Sequence, residues 1–223
     1  MRHVLWATLS LSFVAGSPGS TLIATSGTEA TSGTEATSGT EATSGTEATS
    51  GTEATDLRGV SRVGGKLAAN VVVWLDAPDA PRTPGQKVVL EQRNMEFLPR
   101  VIAAQVGTVV ELPNNDRVFH NVFSFTNGKP FDLGLYPTGA TKRITLDRPA
   151  LSRLYCNIHP HMAAYIMAVA SPYYAVSDER GAFTIRNVPP GTYTYQAWRA
   201  GAAALLNGSV IVEDGKAMEV TWP

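Results

Sequence analysis

The run Cys156-Asn157-Ile158-His159-Pro160-His161-Met162 places a thiol, an imidazole and a thioether at i, i+3 and i+6. A loop joining two strands can fold side chains at that spacing inward around one centre. The donor set is soft to intermediate, which suits a metal cycling between Cu(I) and Cu(II). Zinc sites are ordinarily built from Cys, His and carboxylate, without methionine. A fourth donor must come from elsewhere in the chain. His120 stands 36 residues before Cys156, after the polar stretch Asn114-Asn115-Asp116-Arg117 and at the start of an apolar run. Two histidines, a cysteine and a weak axial methionine are the ligands of a mononuclear, type 1 electron-transfer copper. The expected metal ligands are therefore His120, Cys156, His159 and Met162. A second clip, Cys156-x₄-His161, stays open. Pro160 stiffens the loop and points His159 and His161 in different directions, which leaves His161 at the surface as a pH-sensitive neighbour.

Cys156 is the single cysteine of 223 residues. Its meaning depends on compartment. Arg2 and His3 precede an apolar segment, Val4 to Ala15, and small residues follow at Gly16, Ser17 and Gly19. This pattern predicts an export signal over 1–24, too short to span a bilayer. The expected destination is periplasmic or secreted, with no membrane span once the signal is cleaved. In an oxidising compartment a lone thiol is buried and inert, paired with another chain, or bound to metal.

Residues 26–55 are five identical copies of Ser-Gly-Thr-Glu-Ala-Thr. The unit carries no apolar residue larger than alanine, so it builds no core and predicts a disordered acidic tether over 25–56. As a flexible coil its thirty residues would span about 30 Å r.m.s.. Formal net charge is −1 overall. Taking the five tether glutamates from 19 acidic residues, and Arg2 from 18 basic ones, leaves 14 and 17. That balance gives no reason to expect nucleic acid as a partner.

From Leu57 the texture becomes short apolar runs separated by turns. Val71 to Leu75 is β-branched and apolar and reads as a buried strand. Val88 to Glu91, Val101 to Val106, Val109 to Leu112, His120 to Phe125, Lys142 to Leu146, Arg153 to Cys156 and Ala164 to Val169 read as further strands. Gly107-Thr108 reads as a tight turn, and Phe131-Asp132-Leu133-Gly134 as a loop near the ligands. The expected class is all-β, built of sandwiches or barrels.

Cys156-x-x-His159-x-x-Met162, taken with His120-Asn121-Val122 and with Asn114 six residues earlier, resembles the cupredoxins. The short ligand loop is similar to that of amicyanin, except that His161 stands where an aromatic residue is usual. The resemblance implies a cupredoxin-like Greek-key β-sandwich over 86–171. It implies copper bound through ring nitrogens of His120 and His159, the Cys156 sulfur and, weakly, Met162. It also implies supporting roles for Asn114, Asn121 and His161, with Asn114 tying the ligand loops together and offering its N–H to the Cys156 sulfur. Some related proteins carry the label methylamine utilisation. Ser177 to Ile185 and Val188-Pro189-Pro190-Gly191-Thr192-Tyr193 resemble the carboxypeptidase regulatory-like (transthyretin-like) β-sandwich. Its expected extent is 57–85 and 172–223, split by the copper domain, the alternative being two sequential domains.

The function expected from these residues is one-electron transport by an exported copper protein, not an enzyme. The expected partner is a redox protein, a cytochrome or a dehydrogenase, docking near His159. Storage, delivery or sensing of copper would use the same ligands. A non-catalytic extracellular sandwich with a vestigial site is a further reading. A binuclear copper centre would need a second, bridging cysteine. Potential, pathway and oligomeric state are not encoded in these patterns.

Overall fold

The computed structural model describes residues 53–125 and 130–223. The expected signal segment and nearly all of the expected tether lie outside the described residues.

Eighteen strands and no helix occupy the described chain. The first three are β1 (Thr55–Val63), β2 (Lys66–Leu67) and β3 (Val72–Leu75). Ten follow: β4 (Lys87–Val89), β5 (Glu91–Arg93), β6 (Glu96–Leu98), β7 (Val101–Gln105), β8 (Val109–Pro113), β9 (His120–Ser124), β10 (Phe131–Tyr136), β11 (Thr141–Thr145), β12 (Ala150–Tyr155) and β13 (Ala163–Val169). The last five are β14 (Tyr174–Val176), β15 (Ala182–Val188), β16 (Gly191–Trp198), β17 (Leu206–Val212) and β18 (Ala217–Trp222). The chain is all-β and packs as sandwiches.

The middle ten strands pair among themselves. A five-stranded sheet runs β10-β9-β12-β13-β7, and a three-stranded sheet runs β11-β8-β4. Between them lies a core of Leu90, Phe97, Ile102, Val110, Leu112, Val122, Leu154 and Ile166, with Cys156 and Met162 at one end. The first three and last five strands pair with one another. β1 lies antiparallel to β15 and parallel to β18, while β3 lies antiparallel to β14 and β16. Leu57, Val73, Leu75, Ile185, Val212 and Val220 fill the space between these two sheets.

β3 explains its own composition. Val71, Val73 and Leu75 face the core just described, whereas Val72 and Trp74 face a third apolar layer. A strand buried on both sides loses the alternation of polar and apolar residues. β13 behaves alike: Ala164, Ile166 and Ala168 face inward, and Met167 and Val169 face the third layer. That layer joins the sandwiches through Val72, Trp74, Val101, Ala103, Met167, Val169 and Trp198. Each large apolar side chain fully buried contributes about 1.5–3 kcal/mol, so this layer holds the two sandwiches as one body.

Two local expectations change. Val88 to Glu91 is interrupted at Leu90, which leaves β4 and turns the chain into the β5–β6 hairpin. Phe131 to Gly134, expected as loop, is the start of β10, paired to β9. Gly134 at φ 66° and a register shift between Asp132 and Leu135 break the alternation by which a strand is recognised. The turn at Gly107 forms as expected, with Gly107 at φ 97° and the Thr108 N–H donating to the Gln105 carbonyl at 3.1 Å.

Candidate metal centre

His120 opens β9 and Cys156 follows the last residue of β12, two neighbouring strands of one sheet. The sheet therefore delivers both side chains to the same end of the sandwich. His159 comes from the loop between β12 and β13. There the Met162 N–H donates to the His159 carbonyl at 2.9 Å, closing a four-residue turn with Pro160 at its second position, where proline's fixed φ is favoured. The turn's two outer residues, Pro160 and His161, are exposed, while Met162 is buried.

The donor atoms of His120, Cys156 and His159 converge. His159 Nδ1 is 3.1 Å from His120 Nδ1, and the Cys156 Sγ lies 3.8 Å from His120 Nδ1 and 3.6 Å from His159 Nδ1. A point about 2.0 Å from both nitrogens then falls roughly 2 Å from the sulfur, close to metal–imidazole and metal–thiolate bond lengths. The triangle fits a bound metal. Met162 is 1% exposed and belongs to the same core cluster as Cys156. His161 stands outside the triangle, its ring centroid 6.3 Å from that of His159.

Asp116, not singled out from the sequence, holds His120. Its Oδ2 is 2.9 Å from His120 Nε2, the nitrogen that faces away from Cys156. Its carboxylate also accepts the Asn94 N–H at 3.1 Å and the Met95 N–H at 2.6 Å. These amides come from the β5–β6 hairpin tip, where Asn94 and Met95 adopt φ of 54° and 57°. Burial opposes the ionisation of Asp116, but the Met95 amide, the His120 hydrogen bond and charge, and the Asn94 amide outweigh it and hold the carboxyl below its ordinary range. A carboxylate on the far nitrogen fixes the tautomer and the ring plane of a ligating imidazole. His159 is held below the ordinary imidazole range, first by burial and then by the charges of His120 and His161, with Asp116 opposing. A lowered value favours the neutral ring, the form that binds metal.

The expected role of Asn114 requires correction. Its N–H donates to the Ala140 carbonyl at 2.9 Å and is not offered to Cys156. Its side chain donates to the Val118 carbonyl at 2.8 Å and the Tyr136 carbonyl at 3.1 Å, and its Oδ1 accepts the Asp116 N–H at 3.0 Å. Asn114 therefore shapes the loop carrying Asp116. Asn121 makes the tie between ligand elements: its Oδ1 accepts the Asn157 N–H at 3.3 Å, and its Nδ2 donates to Asp132 at 2.6 Å. Tyr136, paired in register with His120, is buried and hydrogen-bonded to Gln92 and to the Leu112 carbonyl. Its phenol is pushed up to about 12, by burial and also by the Cys156 charge, against the Gln92 hydrogen bond.

The ligand end is apolar outside as well as inside. Val118, Phe119 and Ile158 are exposed next to the ligands in sequence, and exposed Leu135 pairs with Asn121.

A family model described as polysaccharide lyase family 4, domain II, matches residues 168–220. No curated protein matches the chain. Among solved structures, the chain is similar to the copper-containing nitrite reductase of Thermus scotoductus SA-01, with 25% identity over 41% of this chain and 25% of that one, at TM-score 0.36. It is similar to the purple cupredoxin of Nitrosopumilus maritimus, with 23% identity over 38% of this chain and 99% of that one, at TM-score 0.33. Amicyanin from Paracoccus versutus is 20% identical over 44% of this chain and 97% of its own, at TM-score 0.35. The chain thus spans a quarter of the reductase's length.

Proposed function

We propose that this is an exported type 1 copper protein that carries single electrons between redox partners and catalyses no reaction of its own. The observation that carries the reading is the triangle of His120 Nδ1, His159 Nδ1 and Cys156 Sγ, with sides of 3.1, 3.6 and 3.8 Å. Met162, buried at the end of the loop turn, serves as the weak fourth ligand. Copper bound here would supply a one-electron couple at a centre with one thiolate ligand. The chain's own residues do the rest. Asp116 and the β5–β6 hairpin hold His120 in one orientation. Asn121 holds the Cys156 loop against β9. Burial of Cys156 and Met162 excludes water, so the ligand geometry changes little when charge changes. The ligand loop and the exposed Val118, Phe119, Leu135 and Ile158 form the face on which a cytochrome or dehydrogenase would dock.

The pairing of the first and last strands around the middle ten supports a further assignment. The copper module is inserted into a carboxypeptidase regulatory-like sandwich, and the signal-like pattern expected over 1–24 supports export of both.

The test is an optical and EPR spectrum of the Cu(II)-loaded protein. A strong thiolate-to-copper band in the visible red with a narrow copper hyperfine splitting is expected. A protein that stays colourless has no type 1 centre. Reversible voltammetry and rapid exchange with a cytochrome separate electron transport from copper storage or delivery.

A further inference from the structure

Aromatic side chains form a line from Cys156 across the face of its sheet into the second sandwich. Tyr155 is bonded in sequence to Cys156. Arg153 lies directly opposite Tyr165 on β13, and Tyr155, two residues on, shares that face. The Arg153 guanidinium sits 4.9 Å from the Tyr155 ring centroid and 5.5 Å from that of Tyr165, so the two phenols flank one cation. Tyr165 then packs on Trp198 of β16, with centroids 5.0 Å apart and planes at 57°. Trp198 is 7% exposed. It also lines an apolar cavity of about 560 Å³ between the sandwiches, with Trp74, Pro78, Leu151, Met167 and Leu205.

Tyrosine and tryptophan are, with the cysteine thiol, the side chains most easily oxidised by one electron. Electron tunnelling falls steeply with distance, so splitting a long path into short steps through such rings speeds it. We infer that Trp198, Tyr165 and Tyr155 are a relay through which an oxidising equivalent formed at the inter-sandwich cavity is returned to the Cys156 centre. This rests on the copper reading above.

The co-reactant is an organic alkoxyl radical, a stronger one-electron oxidant than the indole radical. It takes one electron from the Trp198 indole and one proton from solvent, and leaves as the closed-shell alcohol. The oxidised indole takes an electron from Tyr165, whose phenolic proton is lost to water at its half-exposed edge. Tyr165 is restored by an electron from Tyr155 and a proton from water. Tyr155 is restored in the same way by one electron from the reduced metal–thiolate centre. The sum is one radical reduced, one proton consumed and the centre oxidised by one unit.

Pulse radiolysis with azide radical tests the relay. In the metal-free protein a fast phase is expected in which tryptophanyl absorption decays as tyrosyl absorption grows. That phase is lost in Trp198→Phe and in Tyr165→Phe, and kept in Trp74→Phe and Trp222→Phe. Tyr165→Phe removes only a hydroxyl, so it keeps the test sound where Trp198→Phe loosens the fold. A fast phase that persists in both Trp198→Phe and Tyr165→Phe overturns the relay, whatever copper does. In the copper-loaded, reduced protein the visible-red band is expected to grow in after the pulse, with its rapid growth lost in Tyr155→Phe. Unchanged growth in Tyr155→Phe overturns the last step. Failure of the band to form on direct addition of Cu(II) overturns the copper reading and leaves the metal-free result standing.

Discussion

The carboxylate of Asp116 reaches His120 Nε2 at 2.9 Å while His120 Nδ1 faces the Cys156 sulfur. One imidazole thus joins the donor triangle to the hairpin tip at Asn94 and Met95, on elements well separated in sequence. Asp116→Asn removes the charge and one good acceptor geometry. Partners of this kind are worth about 10–100-fold in metal affinity. A chelator competition on Asp116→Asn should show copper held that much more weakly, with the unfolding midpoint of the metal-free protein little changed. Equal affinity for both proteins would remove Asp116 from the centre.

The turn from His159 to Met162 separates the two loop histidines. His159→Ala should abolish the visible-red band, as should Cys156→Ser, whereas His161→Ala should retain it. Survival of the band in His159→Ala together with its loss in His161→Ala would exchange their roles.

Asn121 is buried and holds both Asp132 and the Asn157 amide. Asn121→Ala leaves the Asn157 N–H without that acceptor at the edge of the ligand loop. Asn157 and Asp132 are exposed, so water replaces Asn121 and a loss of about 0.5–1.5 kcal/mol is expected for each hydrogen bond. Urea unfolding of the metal-free protein measures it. Asn114→Ala should destabilise comparably but act through the loop of Asp116, so that its larger effect is on copper affinity.

Tyr136 sets an alkaline limit. Its folded value of about 12 stands above the ordinary 10.0. Between these values the unfolded chain gives up the phenolic proton and the folded chain keeps it. The unfolded state binds fewer protons there, so stability is full below pH 10 and falls as pH rises toward 12. A phenolate titration monitored at the tyrosinate band should show Tyr136 ionising only with unfolding. Tyr136→Phe should flatten this part of the stability curve.

Gly59 in β1 has no room for a side chain. A Cβ there would lie 2.3 Å from the Phe183 ring and 2.8 Å from Met218 Cγ. Forcing atoms into a packed core costs about 1–3 kcal/mol, so Gly59→Ala should lower the unfolding midpoint of the whole described body. Two separate transitions, with only the outer sandwich's midpoint lowered, would mean that it unfolds independently of the middle ten strands.

Legibility followed locality. Cys156, His159 and Met162 could be grouped from the sequence because their spacing is local and a single turn arranges them. The strand at Val71 to Leu75 was readable because burial on both faces leaves an unbroken apolar run. Asp116 was not readable: four residues before a histidine, in an ordinary polar turn, it becomes a partner of His120 only because that turn folds back and the β5–β6 hairpin closes on it. The separate roles of Asn114 and Asn121 are hidden in the sequence for the same reason. Both are amides near His120, and only the strand pairings decide whose groups remain for the Cys156 loop. β10 was hidden by its glycine and register shift. The aromatic line from Tyr155 to Trp198 joins strands of two sandwiches, and no sequence interval between those residues marks it.

The way the chain leaves and re-enters the outer sandwich has a mechanical consequence. It departs after Leu75 and returns at Tyr174, on strands that lie side by side, with Trp74 and Tyr174 in register. A body suspended at two adjacent points and cemented along a buried layer has no hinge. Whatever grips the outer sandwich therefore also sets the bearing of His159 and the height at which it is presented, as a bracket sets the aim of a lamp.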